Sequence, residues 1–288
     1  MSEHKEPGNI SGHDAHFLNT RVRLIILVSI AVLYLLGILI WGLLMPESAY
    51  AVDYSAKFMP PGPSHPFGTD FMGRDMFMRS VKGLSNSLTI GLLASLVSSV
   101  ISLVFGISAG LLGGALDKFV LTAVDCCMGL PHLVLLILIS VLLGKGERGV
   151  LLSVALTHWP ELTRIIRAEV LQIRSSQYVQ ASYKMGKTNL QVARDHILPH
   201  VIPAYIVGLI LLFPHTIMHE SAVTFLGFGL PAETPAIGVI LSESMKHIAT
   251  GKWWLALFPG LMLIAAVFLF YVIGDNLKRL LNPSSGNE

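Results

Sequence analysis

The chain is poor in charge. Only 13 % of its 288 residues are Asp, Glu, Lys or Arg, against about 25 % in a soluble domain. That shortfall leaves too little polar surface to cover a water-soluble core of this size. Cysteine is scarcer still: the two present are adjacent, Cys126 and Cys127, which excludes a disulfide scaffold and makes a poor zinc site. A formal net charge of +2 gives no footing for nucleic acid. What fills the chain is apolar residue, 53 % by number, with a mean hydropathy of +0.65. This is the sequence of a membrane protein.

Charge-free stretches mark the crossings. Leu24 to Met45 is 22 residues without a charged side chain, Gly83 to Leu116 is 34, Cys126 to Gly144 is 19 and Trp253 to Gly274 is 22. About 20 apolar residues span the hydrocarbon. Gly149 to Pro160 is shorter, but its apolar character runs on through Leu162, Ile165 and Ile166; Ile197 to Leu230 is interrupted only by Glu220, His200, His215 and His219. The pattern predicts an all-α polytopic protein with six membrane helices, over 24–45, 85–113, 119–143, 150–167, 197–228 and 254–276. A cytoplasmic N-terminus puts twelve Lys and Arg inside and eight outside, with Arg21 and Arg23 just before the first span. That excess favours N-in and C-in.

Ala49-Tyr50-Ala51 has the form of a signal-peptidase site, but a cleavable apolar region runs about 7–15 residues. The longer stretch here, with Glu3, Glu6 and Asp14 upstream, reads as a retained anchor over 21–45 behind a polar cytoplasmic tail over 1–20. An external loop over 46–82 follows, rich in proline and glycine turns. The remaining core covers 83–279, with tight turns at 113–118 and 144–149, and 280–288 is a short cytoplasmic tail. Within the core, the cytoplasmic segment 168–196 has no proline and one glycine, and its Tyr178, Ala181, Met185 and Leu190 recur near helical spacing. It predicts short amphipathic helices outside the bilayer, a surface for docking.

The chain carries no engine of its own. Gly186-Lys187-Thr188 has the tail of a phosphate-binding loop, but Ala181 stands where the first glycine belongs and no strand precedes it. His219-Glu220 lacks the second histidine of a zinc-protease helix. No Ser-His-Asp or paired-carboxylate arrangement has positional support.

Tyr178-Val179-Gln180-Ala181-Ser182-Tyr183-Lys184-Met185-Gly186, followed by His196-Ile197-Leu198-Pro199, resembles the cytoplasmic coupling loop of ABC-importer permeases. The family form is E-A-A, three residues, glycine, nine residues and I-x-L-P. Gln180 and Ser182 replace the usual Glu and Ala, and His196 stands at the isoleucine position. Phe67-Gly68-Thr69-Asp70-Phe71-Met72-Gly73-Arg74-Asp75 resembles the G-T-D-x-x-G-R-D signature of the dipeptide/oligopeptide/nickel branch. So do Phe225-Leu226-Gly227-Phe228-Gly229, Gly274-Asp275 and Asn282-Pro283. Ile237 departs from the tryptophan that branch often has before Gly238. The best fit is the second, C-type permease of such importers.

The resemblance implies a type I importer transmembrane domain in the bacterial cytoplasmic (inner) membrane. It implies pairing with a second homologous permease, two ATPase subunits and an extracytoplasmic substrate-binding protein, with ATP and Mg held in the ATPases and no cofactor bound by this chain. Coupling to the ATPases falls on Tyr178, Gln180, Ala181, Ser182, Gly186, Leu198 and Pro199, where Gly186 lets the loop turn and Pro199 opens the next membrane helix.

Inside the bilayer, Gly106, Gly110 and Gly114 repeat every four residues, a small-xxx-small face. Within the subunit that face permits close helix packing; a heterodimer seam is the other use. Pro131, Pro160, Pro203 and Pro214 break helices where a cavity or neighbour satisfies the freed carbonyls. Ionisable groups at membrane depth are functional candidates. Asp125 reads as a structural hydrogen-bonding residue. His215 and His219, four apart, share a helix face with Met218, and imidazole and thioether are ligands for nickel, copper or zinc; nickel-type permeases show a similar H-x-x-x-H before their F-L-G. Glu220 matches a family glutamate and stands between pathway and packing roles. The substrate pathway is assigned to His215, Met218, His219 and Glu220, with His215 and His219 as metal ligands. The cargo is nickel, a metal chelate or short peptides. Two alternatives stay open: a peptide importer with no direct metal contact, and a proton-coupled secondary transporter, for which no matching halves are present.

Overall fold

The computed structural model describes residues 11–281, with side chains from 22 to 279. Among the described residues there are eleven α-helices and no strand; one antiparallel bridge joins Thr69 to Asp75. The helices are α1 (Ser11–Leu44), α2 (Met76–Leu112), α3 (Gly114–Met128), α4 (His132–Leu142), α5 (Gly146–Thr157), α6 (Trp159–Arg174), α7 (Gln177–Lys184), α8 (Asn189–Val192), α9 (Leu198–Phe225), α10 (Ile237–Ile248) and α11 (Trp254–Leu281). Four stretches are long and apolar enough to cross a membrane: Val22–Leu44, Met76–Leu112, Asn189–Phe225 and Trp254–Arg279. A fifth exists if α3 and α4 count as one broken span.

Three expectations from the sequence are corrected. The helix read over 119–143 is two, α3 and α4, bent by 96° at Gly129-Leu130-Pro131. Proline before α4 supplies no N–H, and unbroken apolar character hid the turn. The 150–167 helix divides at His158, and its second half, α6, is polar enough on one face to run on to Arg174. Helix α10, in the segment after the fifth predicted span, went unread because it is short and amphipathic. Helix α1 begins at Ser11, inside the segment read as a polar tail, and residues 1–10, Asn282 and Pro283 lie outside the described residues.

The long helices α1, α2, α9 and α11 share one apolar core, with Leu35, Leu88, Ile217 and Phe270 at its centre. A second core joins α2, α4, α5 and α9 through Ala94, Leu136, Val150, Val154 and Val223. Helix α2 seals these seams with close approach and hydroxyls. A Cβ on Gly106 would meet Ile166 at 2.7 Å, and one on Gly110 would meet Val170 at 2.7 Å. The glycine face thus packs within the subunit, against α6. Gly114 is not on it: α2 has already ended at Leu112. Ser85 donates to the Leu39 carbonyl at 2.9 Å and Ser102 to the Trp159 carbonyl at 2.9 Å, polar links suited to an interior with no water to compete.

The G-T-D-x-x-G-R-D segment is a clasp. Asp70, 2 % exposed, accepts from the Met72 and Arg74 backbone amides, from Arg74 Nε at 2.6 Å and from Arg79 at 3.1 Å. Arg79 reaches on to Glu243 of α10 at 2.7 Å. Asp75 caps α2 by accepting from the Met78 amide, and Thr69 donates to the Ala56 carbonyl. Gly73, at φ +77°, sits where a Cβ would lie 1.7 Å from the Asp53 carbonyl oxygen. The clasp fastens the loop between α1 and α2 to α2 and α10.

Candidate functional site

Two places concentrate the predicted functional residues. The first is the knuckle between α6 and α9. Helix α7 ends with the Gly186 amide donating to the Tyr183 carbonyl and Lys187 to Ser182, with Gly186 at φ +88°; only a residue without Cβ takes that conformation without strain. Thr188 and Gln191 form a capping box on α8, a π-helical turn follows over Ala193–Ile197, and Pro199 lies in the first turn of α9. Val179 is buried with Val192, Ile197 and Val201, in the same core as Ile166 and Val170 of α6. Ser182 is buried too, its hydroxyl 3.0 Å from His196 Nε2 and 3.0 Å from the Tyr178 carbonyl. The stripe read from the sequence lies on the other side. Tyr178, Gln180, Ala181, Met185 and Leu190 are exposed, the last two at 75 % and 80 %. Apolar side chains thus stand uncovered on this side of the subunit, and the buried side ties it to α6 and α9.

The second place lies where α3 gives way to α4 and α5 to α6, beside the middle of α9. His219 of α9 meets two histidines that the sequence analysis passed over, His132 at the start of α4 and His158 between α5 and α6. Their nitrogen ligand atoms all lie within 4.8 Å of one another, and their ring centroids are 4.5–5.0 Å apart. His158 Nδ1 sits 2.9 Å from the Val154 carbonyl. A carbonyl only accepts, so Nδ1 carries the proton and the neutral ring keeps a lone pair on Nε2, which lies 2.8 Å from His219 Nδ1. His132 Nε2 is buried with no hydrogen-bond partner.

These rings line a cavity of about 170 Å³ together with Met128, Thr157, Pro160, Glu161, Leu212 and His215. His215 is exposed and its Nε2 lies 3.2 Å from the Tyr271 hydroxyl. Met218 is 49 % exposed on the same side of α9 but is not among the lining residues. Glu220 is separated from them. It is fully buried in the subunit, accepting from Ser221 at 3.2 Å and Thr224 at 3.0 Å, so it packs within the subunit and does not line this cavity. Asp125 pairs with Arg164, and Asp117 takes both Nε and a terminal nitrogen of Arg167.

A signal for the missed histidines was present. His132 follows Pro131, His158 precedes Trp159-Pro160 and His215 follows Pro214. In each case an imidazole stands beside a helix-breaking residue inside an apolar stretch, where the backbone opens a cavity.

With the architecture in view, the comparisons define the class. The family described as "Binding-protein-dependent transport system inner membrane component" matches residues 102–286, more than half of the chain. The chain belongs to this family: it is a multi-pass inner-membrane permease of the ABC-importer kind, and not an enzyme. Among its relatives, the dipeptide transport system permease protein DppC of Bacillus subtilis is 34 % identical over 83 % of this chain and 75 % of its own length. The nickel transport system permease protein NikC of Escherichia coli K12 is 33 % identical over 93 % of this chain and 96 % of its own. Of solved structures, a chain of the MetNI methionine ABC transporter, inward facing, superposes with a TM-score of 0.58 over 72 % of this chain and 98 % of that one, at 21 % identity; it shares the fold.

Proposed function

We propose that this chain forms half of the translocation pathway of an ATP-driven importer for nickel or a nickel chelate. In this reading α3–α4 is one broken span and α5–α6 another, which makes six spans with both termini in the cytoplasm. A second, related permease completes the pathway. Two ATPase subunits hold the ATP and Mg and press on the exposed side of α7. An extracytoplasmic binding protein delivers the cargo.

The observation that carries the cargo half is the division of α9. His215, Met218 and His219 point away from the core that takes Glu220, and they present imidazole and thioether, the groups that suit borderline metals. A pathway must bind weakly enough to release, so tight capture belongs to the binding protein. Short peptides are the second reading, favoured by the dipeptide relative; a peptide would be gripped mainly through backbone hydrogen bonds and its charged ends.

Radiolabelled uptake distinguishes the two. Cells carrying only this importer, with its partners, accumulate nickel above the level of cells lacking the ATPases. Dipeptide uptake that nickel does not compete, with no nickel accumulation, overturns the metal reading and leaves the permease reading standing.

A further inference from the structure

We propose that His132, His158 and His219 form a three-imidazole transit site for a bare divalent transition-metal ion. The proposal rests on the reading that this chain lines a pathway, and it deepens that reading in one respect: the ion is handled by nitrogen ligands of the protein, stripped of any organic chelator at this point.

Three features of the geometry point the same way. The first is the tautomer of His158. Its Nδ1–H is committed to the Val154 carbonyl at 2.9 Å, the outer-sphere arrangement that fixes the orientation of ligating histidines and raises the basicity of the other nitrogen. Its Nε2 lone pair is thereby aimed into the cluster. The second is the orphan: His132 Nε2 is buried with no partner. No side chain or backbone group of the subunit takes it, so it stays available to a ligand in the adjoining cavity.

The third is spacing and room. His158 Nε2 and His219 Nδ1 are 2.8 Å apart, while cis nitrogens around an octahedral ion at about 2.1 Å are about 3.0 Å apart. The two rings chelate one ion once they turn so that the lone pairs now directed along the hydrogen bond converge on it, with His132 closing in from within 4.8 Å. Without metal, His219 Nδ1–H donates to His158 Nε2. On binding, that hydrogen bond opens, His219 carries its proton on Nε2 and ligates through Nδ1, and all three rings stay neutral, so no proton is released. The adjoining cavity of about 170 Å³ has space for several waters at about 30 Å³ each, which complete the coordination sphere. Glu161 and His215 line the same cavity: the carboxylate offsets the ion's charge, and His215 is the next imidazole along.

Three ligands on three separate elements, two of them at helix breaks, also suit a site that must let go. His132 sits at the α3–α4 bend, His158 at the α5–α6 break and His219 within α9, so relative movement of these elements pulls the ligand set apart.

The test uses the assembled transporter, this chain with its partner permease and ATPases, purified in lipid nanodiscs without binding protein. The probes are Ni²⁺ or Co²⁺ alone, followed by titration, absorption spectroscopy of the bound Co²⁺ and thermal unfolding. Wild type is expected to take up one ion per copy of this chain, to show imidazole-type Co²⁺ bands, and to unfold at a higher temperature with Ni²⁺ present. His132→Leu should weaken binding more than tenfold and abolish the metal-induced shift. Its metal-free unfolding temperature should not fall, because the nitrogen it removes has no partner. His158→Gln and His219→Gln should weaken binding in the same way, while His247→Gln, on the external α10, should not.

Wild-type binding retained in His132→Leu overturns the proposal, and so does a lowered metal-free unfolding temperature with binding intact, which would mark the ring as packing. These outcomes are separable from failure of the transport reading. That reading falls if cells with the wild-type complex accumulate neither nickel nor dipeptide, whatever the purified protein binds.

Discussion

The clasp and the histidine cluster both bury ionisable side chains in a protein that has few, and they do so in opposite ways. At the clasp every group is answered. Asp70 accepts from two backbone amides and two guanidinium groups, and Arg79 bridges Asp70 to Glu243. At the cluster one nitrogen has no partner, a second pair shares a single hydrogen bond, and a cavity lies alongside. A saturated set of charges has no coordination left to offer and works as a fastener. An unsaturated set of imidazoles keeps nitrogen atoms that a ligand in the cavity can take. Satisfaction of each atom, more than burial or residue type, separates the structural site from the binding one.

The largest effect should come from breaking the saturated site. Asp70→Ala leaves Arg79 buried beside Glu243 without its second partner, and removing one member of a buried ion pair costs about 3–5 kcal/mol. The expected outcome is a steep loss of folded protein from the membrane, read by detergent-resistant yield and thermal unfolding. Wild-type yield would show that the clasp is not a fastener.

A change at the knuckle should separate folding from coupling. Gly186 has φ +88° and nothing within 4 Å of a Cβ placed there, so Gly186→Trp meets backbone strain, about 1–3 kcal/mol, and no clash. The protein should reach the membrane and lose uptake. Normal uptake, with the ATPases co-purifying at the usual yield, would show that the loop does not couple. The smallest effect belongs to Arg164→Ala. Arg164 and Asp125 are 46 % and 66 % exposed in the isolated subunit, and exposed pairs contribute about 0–1 kcal/mol, so unfolding of this subunit should hardly shift. A drop as large as that of Asp70→Ala would mean the pair is buried by the partner permease.

The same distinction explains what the sequence discloses. The long helices were legible because an apolar run of span length has one use. The knuckle was legible as short amphipathic helices, although the stripe Tyr178, Ala181, Met185 and Leu190 proved to be the outward side, with Val179 and Val192 inward. Apolar periodicity reports an apolar stripe, and it does not say whether the chain's own core covers that stripe. The bend at Gly129-Leu130-Pro131 and the division at His158 were hidden by unbroken hydropathy. His215 and His219 were found because they lie four apart on one helix. His132 and His158 were not, because residues 26 and 61 positions apart along the chain are brought together only by helix breaks. Glu220 could not be assigned from its neighbours, since one step along α9 separates the cavity from the core.

The central claim is that α9 lines a path for metal, and the double substitution His215→Ala with His219→Ala tests it most directly. Both residues lie on the cavity side, clear of the clasp and the knuckle, so membrane insertion and the ATPase activity of the assembled complex should stay at wild-type levels. Radiolabelled nickel uptake, in cells with no other nickel importer, should fall at least tenfold. Nickel uptake unchanged from wild type, with the doubly substituted protein present at normal amounts, would contradict the account.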